Sequence, residues 1–446
     1  MTRTWIKQPL AIVADGAAGG VVVADDRIVE LVPAGGVPAT PVDAVFDAWR
    51  HVVLPGLVNT HHHTYQTLTR AVPAVLDQPL FGWLEGLYPI WARLTPEALE
   101  PAFRLAFAEL LESGCTTAVD HHYVFPAGTE NAIDLEVEVA RDLGLRVVLT
   151  RGSMDLSSDD GGLPPPAVTQ SAEVVLRDSE RLISRHHQPG SGAMCQIALA
   201  PCSPFSVTRW LLEETAALAS LHGVRLHTHL AETADEERFC LERYGCRPVD
   251  YLDACGWLGP RTWVAHGIHF AAEEIIRLGR AGVGVAHCPS ANLVLGSGIC
   301  PVLALEAAGA PVGLAVDGSA SNDHSNLAAE VRLAFLLQRL AAGVERVGHL
   351  DALRWATAGG AACLGRTDIG GLEVGRQADL ALFDMDALRF AGARDPLAAL
   401  VRSGFDRADR VMVAGRWVVE NGAVVGLDRA ALVDRHRRAA ATLVAA

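Results

Sequence analysis

Short apolar, β-branched runs alternate with longer amphipathic stretches through the middle of the chain. Apolar runs of five to eight residues mark buried strands, and apolar positions recurring every three or four residues mark helices. On this reading strands are expected at Leu57–His63, Thr116–His122, Arg146–Arg151, Gln196–Pro201, Val224–Leu230, Thr262–His266, Val283–His287 and Val312–Asp317. Helical stretches such as Pro101–Glu112, Leu211–Leu221 and Ala271–Leu278 lie between them. Eight strand–helix units in series predict an α/β fold, a (β/α)8 TIM-type barrel. Gly161-Gly162 and Pro164-Pro165-Pro166 then fall in the loop after the third strand.

The two ends of the chain carry a different pattern. Val21–Val23 and Ile28–Leu31 flank Asp25-Asp26 as strand, turn and strand. Ala378–Phe383, Arg410–Val413 and Trp417–Val419 repeat this style, and Asn421-Gly422 is a hairpin signal. These flanks predict a small β-sandwich domain formed by both termini, residues 1–53 and 366–446, around a catalytic barrel at 54–365. The Ala-rich end from Ala430 is expected to be a surface helix capped by Asp428.

Composition narrows the chemistry. A chain of 446 residues, half of them hydrophobic, can bury a large core. Its net charge of −15 repels phosphate backbones, so no nucleic-acid partner is expected and a small-molecule substrate fits better. The nine cysteines are scattered with no CxxC pair, as in a reduced, cytoplasmic protein. Neither a signal-like leader nor a membrane-length apolar run is visible, so no membrane partner is expected. Lys7 is the only lysine. Schiff-base chemistry, Walker-type phosphate binding and a metal pair bridged by a carboxylated lysine all need a lysine in the site, so all three are disfavoured.

Histidines and acids gather at the carboxyl ends of the expected strands, the face on which barrel enzymes do their chemistry. His61 and His63 close the first strand and, two residues apart, point the same way, with His62 turned from them. His227 and His229 close the fifth, Glu232 follows, His266 ends the sixth and Asp317 the eighth. Each alone is as well explained by a structural histidine or a helix-capping acid. Together they offer three neutral imidazoles and a carboxylate, a donor set that suits zinc, with an open position for a water whose pKa would fall to about 7. Fe²⁺ or Mn²⁺ can fill the same donors.

At these residues the chain resembles the amidohydrolase superfamily, in the branch holding guanine, cytosine and adenosine-type deaminases. Leu54–His63 is similar to the opening metal motif, His227–Glu232 to the fifth-strand motif, Ala265-His266-Gly267 to the sixth, and Val316–Asn322 to the eighth. The resemblance implies one Zn²⁺ per chain held by His61, His63, His229 and Asp317. It also implies proton transfer by Glu232, with His266 and Asp317 as further catalytic residues. Within the branch, Thr64–Pro73, Leu80–Leu84, Leu87–Trp91, Gly161–Pro165 and Ala200–Val207 are most similar to the 8-oxoguanine deaminase family and to the related hydroxyatrazine ethylaminohydrolases. The implied reaction is hydrolytic removal of an amino group from a purine-like base, 8-oxoguanine and water giving urate and ammonia. A triazine N-alkylamine, a pterin or isocytosine are the alternatives.

Gln66 is carried over as a ring-binding residue, with a loop hydrogen bond as the plain alternative. Trp83 and Trp91, read as lying in an apolar loop, can stack on a flat heterocycle or simply pack. Cys202 and Ser203 end the fourth strand and are expected on the pocket wall or in a turn. In Asp120-His121-His122-Tyr123 the family pattern has Leu at the third position. His122 is taken as the pocket residue, although parity alone does not choose between it and His121. His287-Cys288-Pro289 and Asn292 are expected to line the pocket or support its loop, and His186, His187 and His269 to be solvated. Homo-oligomers are common on such barrels, an analogy of fold. Two other classes compete. A non-catalytic binding protein has no use for Glu232 and His266, and a binuclear cyclic amidase is disfavoured by the missing barrel lysine.

Overall fold

The computed structural model describes residues 2–445. Eight parallel strands form one sheet in chain order: β1 (Leu57–Asn59), β2 (Cys115–His122), β3 (Arg146–Ser153), β4 (Cys195–Pro201), β5 (Leu226–Leu230), β6 (Thr262–His266), β7 (Gly284–His287) and β8 (Val312–Leu314). With helices outside it, the sheet is a (β/α)8 barrel. Nearly every strand residue is buried on both faces, which is why these strands read in sequence as continuous apolar runs.

Strands β1 and β8 are shorter than their sequence pattern suggests, and one side chain explains both. The carboxamide of Asn59 donates to His61 O (3.1 Å) and accepts from Val316 N (2.9 Å). It thus stands in for ladder hydrogen bonds where the two strands part. The seam is closed by Thr60 N donating to Leu314 O (3.1 Å) and by a short parallel pair, Asp317–Gly318 with His62–His63. That pair brings the chemistry-bearing ends of the first and last strand units side by side.

Two helices lie between β1 and β2, and the first of them shapes the mouth. In α1 (Leu80–Trp91), Leu80, Trp83, Leu84, Leu87, Tyr88 and Trp91 are buried, a helical spacing that gives one apolar face toward the barrel. The expectation of an apolar loop here is corrected: the aromatics recur with helical period. Helix α2 (Pro96–Glu112) starts at Thr95, whose hydroxyl accepts from Ala98 N (3.4 Å), with Pro96 in the first turn. The C-terminal helix Arg429–Ala445 packs on α2, and Asp428 accepts from Ala431 N (3.0 Å).

Strands from both ends of the chain make two further sheets. One holds Arg3–Lys7, Gly20–Ala24, Arg27–Val32 and Ala44–Asp47. The other pairs His51–Pro55 with Leu380–Asp384 and continues through Arg410–Val413 to Arg416–Glu420. Ile6, Val21, Val23 and Ile28 from the first pack with Val53, Leu380, Leu382 and Met412 from the second. The expected boundary at 53/54 falls inside the strand His51–Pro55, which runs through Gly56 directly into β1. Lys7 lies in the terminal sheet, outside the barrel. All nine cysteines are free. Among the described residues no helix is long and apolar enough to cross a membrane.

Candidate metal centre and pocket

Main-chain carbonyls decide which nitrogen of His63, His229 and His227 carries a proton, because a carbonyl can only accept. His63 Nδ1 lies 2.7 Å from His121 O, and His229 Nδ1 lies 2.7 Å from Cys202 O. His227 Nδ1 lies 2.9 Å from Trp263 O, so its Nε2 is left to accept from His61 Nδ1 at 2.7 Å. The Nε2 atoms of His61, His63 and His229 are therefore all bare lone pairs.

These lone pairs converge. His63 Nε2 is 3.1 Å from His229 Nε2, His61 Nε2 is 3.2 Å from Asp317 Oδ1, and His63 Nε2 is 3.3 Å from the same oxygen. Buried His61 Nε2 has no hydrogen-bond partner. Lone pairs packed this closely repel unless a cation lies among them. A tetrahedral ion with bonds of about 2.0–2.1 Å needs donor–donor edges of about 3.3 Å, close to those observed. Burial, reinforced by the neighbouring imidazoles, holds His61, His63 and His229 well below the usual histidine range, so they are neutral and able to bind a metal. The donor set fits a divalent ion.

Glu232 and His266 stand beside this set. His266 Nδ1 meets Asn292 Oδ1 at 2.9 Å, which leaves Nε2 facing Glu232 Oε2 at 3.6 Å and Asp317 Oδ2 at 3.9 Å. Burial pushes the Glu232 carboxyl up to about 7, with the Asp317 charge adding to it against the pull of His266. For His266, burial lowers the pKa, but the Glu232 and Asp317 carboxylates outweigh it and the net shift is upward. Both Glu232 and Ala231 present their N–H groups to the buried Glu236 carboxyl at 2.9 Å, which fixes the turn after β5. Ala231, His266 and Asp317 have φ of 53°, 70° and 62°. Non-glycine residues held left-handed cost of order 1–3 kcal/mol each and cluster where side chains must be aimed against local preference.

A pocket opens over the donor set, lined among others by Gln66, Trp83, Tyr123, Cys202, Phe205 and Leu295. Trp83 also ties α1 to the loop after Asp317, donating from Nε1 to Ala320 O (3.2 Å). The other expected wall residues lie elsewhere. Trp91 is one layer back, its Nε1 on Thr69 Oγ1 (3.1 Å) and its ring edge-on to Trp83 and Tyr65. Ser203 turns to Ser206 Oγ (2.7 Å) within the loop after β4. The placing of His122 in the pocket is corrected. Its ring lies between Phe125 (centroids 4.8 Å), Tyr65 (5.2 Å) and Phe103 (5.7 Å), on the side of β2 away from the donor set. Side chains alternate along a strand, so His121 takes the inward side, stacked on His229 at 4.9 Å with Nε2 on Ala200 O (2.9 Å).

Asn292 supports His266, as described above. His186, His187 and His269 are half-buried rather than solvated: His186 pairs with Asp134 (2.7 Å), His187 meets Ile197 O (3.2 Å) and His269 meets Ser297 O (3.0 Å). The wall residues missed from sequence include Leu80, Leu84 and Tyr88, Tyr123, Phe205 and Ser321. The first three recur every four residues on α1, a periodicity that was there to be counted.

Comparison with known proteins gives a consistent picture. The family model described as "Amidohydrolase family" matches residues 52–418. The chain is 65% identical to 8-oxoguanine deaminase of Pseudomonas aeruginosa over 100% of both chains. It is 40% identical to hydroxydechloroatrazine ethylaminohydrolase of a Pseudomonas species, covering 84% of this chain and 79% of that one. The structure of atrazine chlorohydrolase from Arthrobacter aurescens TC1 complexed with zinc superposes with a TM-score of 0.92 at 32% identity, covering 99% of this chain and 100% of that one.

Proposed function

The chain belongs to the amidohydrolase family, and on that footing we propose that it hydrolyses 8-oxoguanine to urate and ammonia at a centre holding one zinc ion. The 65% identity to a deaminase of that base over both full lengths carries the substrate reading. The pairing of Glu232 with His266 beside the donor set carries the chemistry. Hydrolytic cleavage of a C–N bond needs a base for water, an acid for the ring and a proton for the leaving amine.

His61, His63, His229 and Asp317 would hold the metal. When bound, a divalent ion supplies a nucleophile near neutral pH by lowering the pKa of a water to about 7. Glu232 takes a proton from the attacking water and delivers it to the ring nitrogen next to the amino-bearing carbon, C2 of the base. The protonated nitrogen draws electron density from that carbon and makes it electrophilic. His266, held by Asn292, orients the attacking oxygen and balances the charge that develops there. The carboxylate of Asp317 accepts the second proton and passes it to the departing ammonia. Gln66 binds the ring edge and Trp83 the ring face, both lining the pocket over the donor set. A cytoplasmic location agrees with nine free cysteines.

The test is a screen of the zinc-loaded protein against 8-oxoguanine, guanine, isocytosine, pterins and hydroxyatrazine, scoring ammonia or ethylamine release. Ammonia from 8-oxoguanine with the highest kcat/KM supports the reading. Faster ethylamine release from hydroxyatrazine transfers the chain to the N-alkylamine hydrolases, and release from none of them removes the enzyme reading.

A further inference from the structure

His61 is held differently from the other two imidazoles of the donor set. His63 and His229 each give Nδ1–H to a main-chain carbonyl. His61 gives its Nδ1–H to a second imidazole, His227 Nε2, at 2.7 Å. His227 can accept only because its own Nδ1–H is committed to Trp263 O at 2.9 Å. Its ring is stacked on the Trp263 indole, with centroids 4.4 Å apart and planes at 17°. The same indole donates from Nε1 to Thr60 O at 3.0 Å, the residue just before His61. Trp263 therefore grips this ligand twice, through His227 at the ring and through Thr60 at the backbone. His61, His227 and Trp263 are all fully buried, so no solvent competes for these bonds.

We propose that His227, held by Trp263, is a positioning residue that fixes the tautomer and ring angle of His61 and thereby sets the affinity for the divalent ion. An outer partner of a ligating histidine normally is a carboxylate or carbonyl, and its loss costs about 10–100-fold in metal affinity. Here an imidazole does this task, and it is an acceptor only in one tautomer. If His61 carried its proton on Nε2, that proton would point into the donor cluster and two lone pairs would face each other across the 2.7 Å contact. The proposal rests on the metal centre alone and is independent of which base is hydrolysed.

The experiment compares full-length protein with His227→Phe and His227→Gln. Each is stripped of metal and titrated with Zn²⁺ against a chromophoric chelator. Phenylalanine keeps the stack on Trp263 and removes the acceptor, and glutamine restores an acceptor oxygen. Zinc affinity is expected to fall about 10–100-fold in His227→Phe and to recover to within a few-fold of the parent in His227→Gln. Parent-like affinity in His227→Phe overturns the proposal, and so does equal weakening in both variants, which would mark His227 as a packing residue. Should His227→Phe fail to fold, imidazole ¹⁵N spectra of the metal-free parent decide. His61 protonated on Nδ1 is expected, and His61 protonated on Nε2 overturns it.

Discussion

Glu232 Oε2 lies 3.6 Å from His266 Nε2, and both side chains are buried. Burial would drive each to its neutral form, yet the two shifts go in the same direction, upward. For the acid this is the work of desolvation. For the imidazole it is the work of two carboxylates overcoming desolvation. The pair therefore holds its protons more tightly than either residue would in water, which suits a site that must lend a proton to a ring nitrogen near neutral pH.

Replacing Glu232 by Gln keeps the shape and removes the exchangeable carboxyl proton. Ammonia release should fall about 10²–10⁴-fold, the usual worth of a positioned acid–base group. Zinc content should not change, because no oxygen of Glu232 belongs to the converging donor set. Assays of kcat/KM together with elemental analysis check both halves. A variant that retained activity, or lost its metal, would contradict these roles.

Metal removal should act on stability as well as activity. The bare lone pairs of His61, His63 and His229 and the Asp317 carboxylate repel one another at separations of 3.1–3.3 Å. An ion that binds only the folded chain stabilises it by about 4 kcal/mol at a thousandfold excess over its Kd. Chelation should abolish ammonia release and lower the thermal midpoint, and one equivalent of Zn²⁺ should restore both. Elemental analysis giving two ions per active chain would replace the mononuclear reading.

The barrel and its donor residues could be read from sequence because parallel strands buried on both faces leave apolar runs, and polar side chains at their ends then stand out. The ends of β1 and β8 could not. Their breaks depend on the Asn59 carboxamide bridging residues far apart in the chain, a tertiary fact with no local signature. The choice between His121 and His122 failed for another reason. Strand β2 is buried throughout, so no alternation of polar and apolar positions reveals which parity faces the centre. The tautomers of the imidazoles were equally hidden, since they depend on carbonyls contributed by neighbouring strands.

The two histidines of β2 should respond oppositely to substitution. His122 has no hydrogen-bond partner at either ring nitrogen, is packed among aromatic rings, and is held neutral by burial, with its pKa lowered to about 3. Leucine there should leave kcat/KM within a few-fold and cost little stability, since an unsatisfied buried polar group is exchanged for an apolar one. His121→Leu removes the ring stacked on His229 and the bond to Ala200 O, and should reduce zinc affinity. Parallel chelator titrations and steady-state assays separate the two. Loss of activity in His122→Leu with parent-like stability would return His122 to the pocket.

Acid stability should depend on an ion pair far from the centre. Arg366 grips Asp368 with two bonds of 2.8 Å, and the same carboxylate accepts from Gly192 N at 2.7 Å, tying the segment before β4 to the chain entering the terminal sheets. Burial opposes the charge on Asp368, but Arg366 and the Gly192 amide outweigh it and hold the carboxyl well below the usual aspartate range. A group whose pKa is depressed by folding adds stability that is complete above its unfolded value, about 3.9, and is lost as the pH falls through that value toward the folded one. Asp368→Asn should therefore be less stable than the parent by up to about 3 kcal/mol at pH 7, since it leaves Arg366 without its partner. In metal-free samples, where loss of the ion cannot contribute, the gap in unfolding midpoint should be widest between pH 6 and 7 and should narrow by pH 3. A gap of the same size at both ends would mean that the Asp368 charge contributes nothing and that only the shape of the side chain matters.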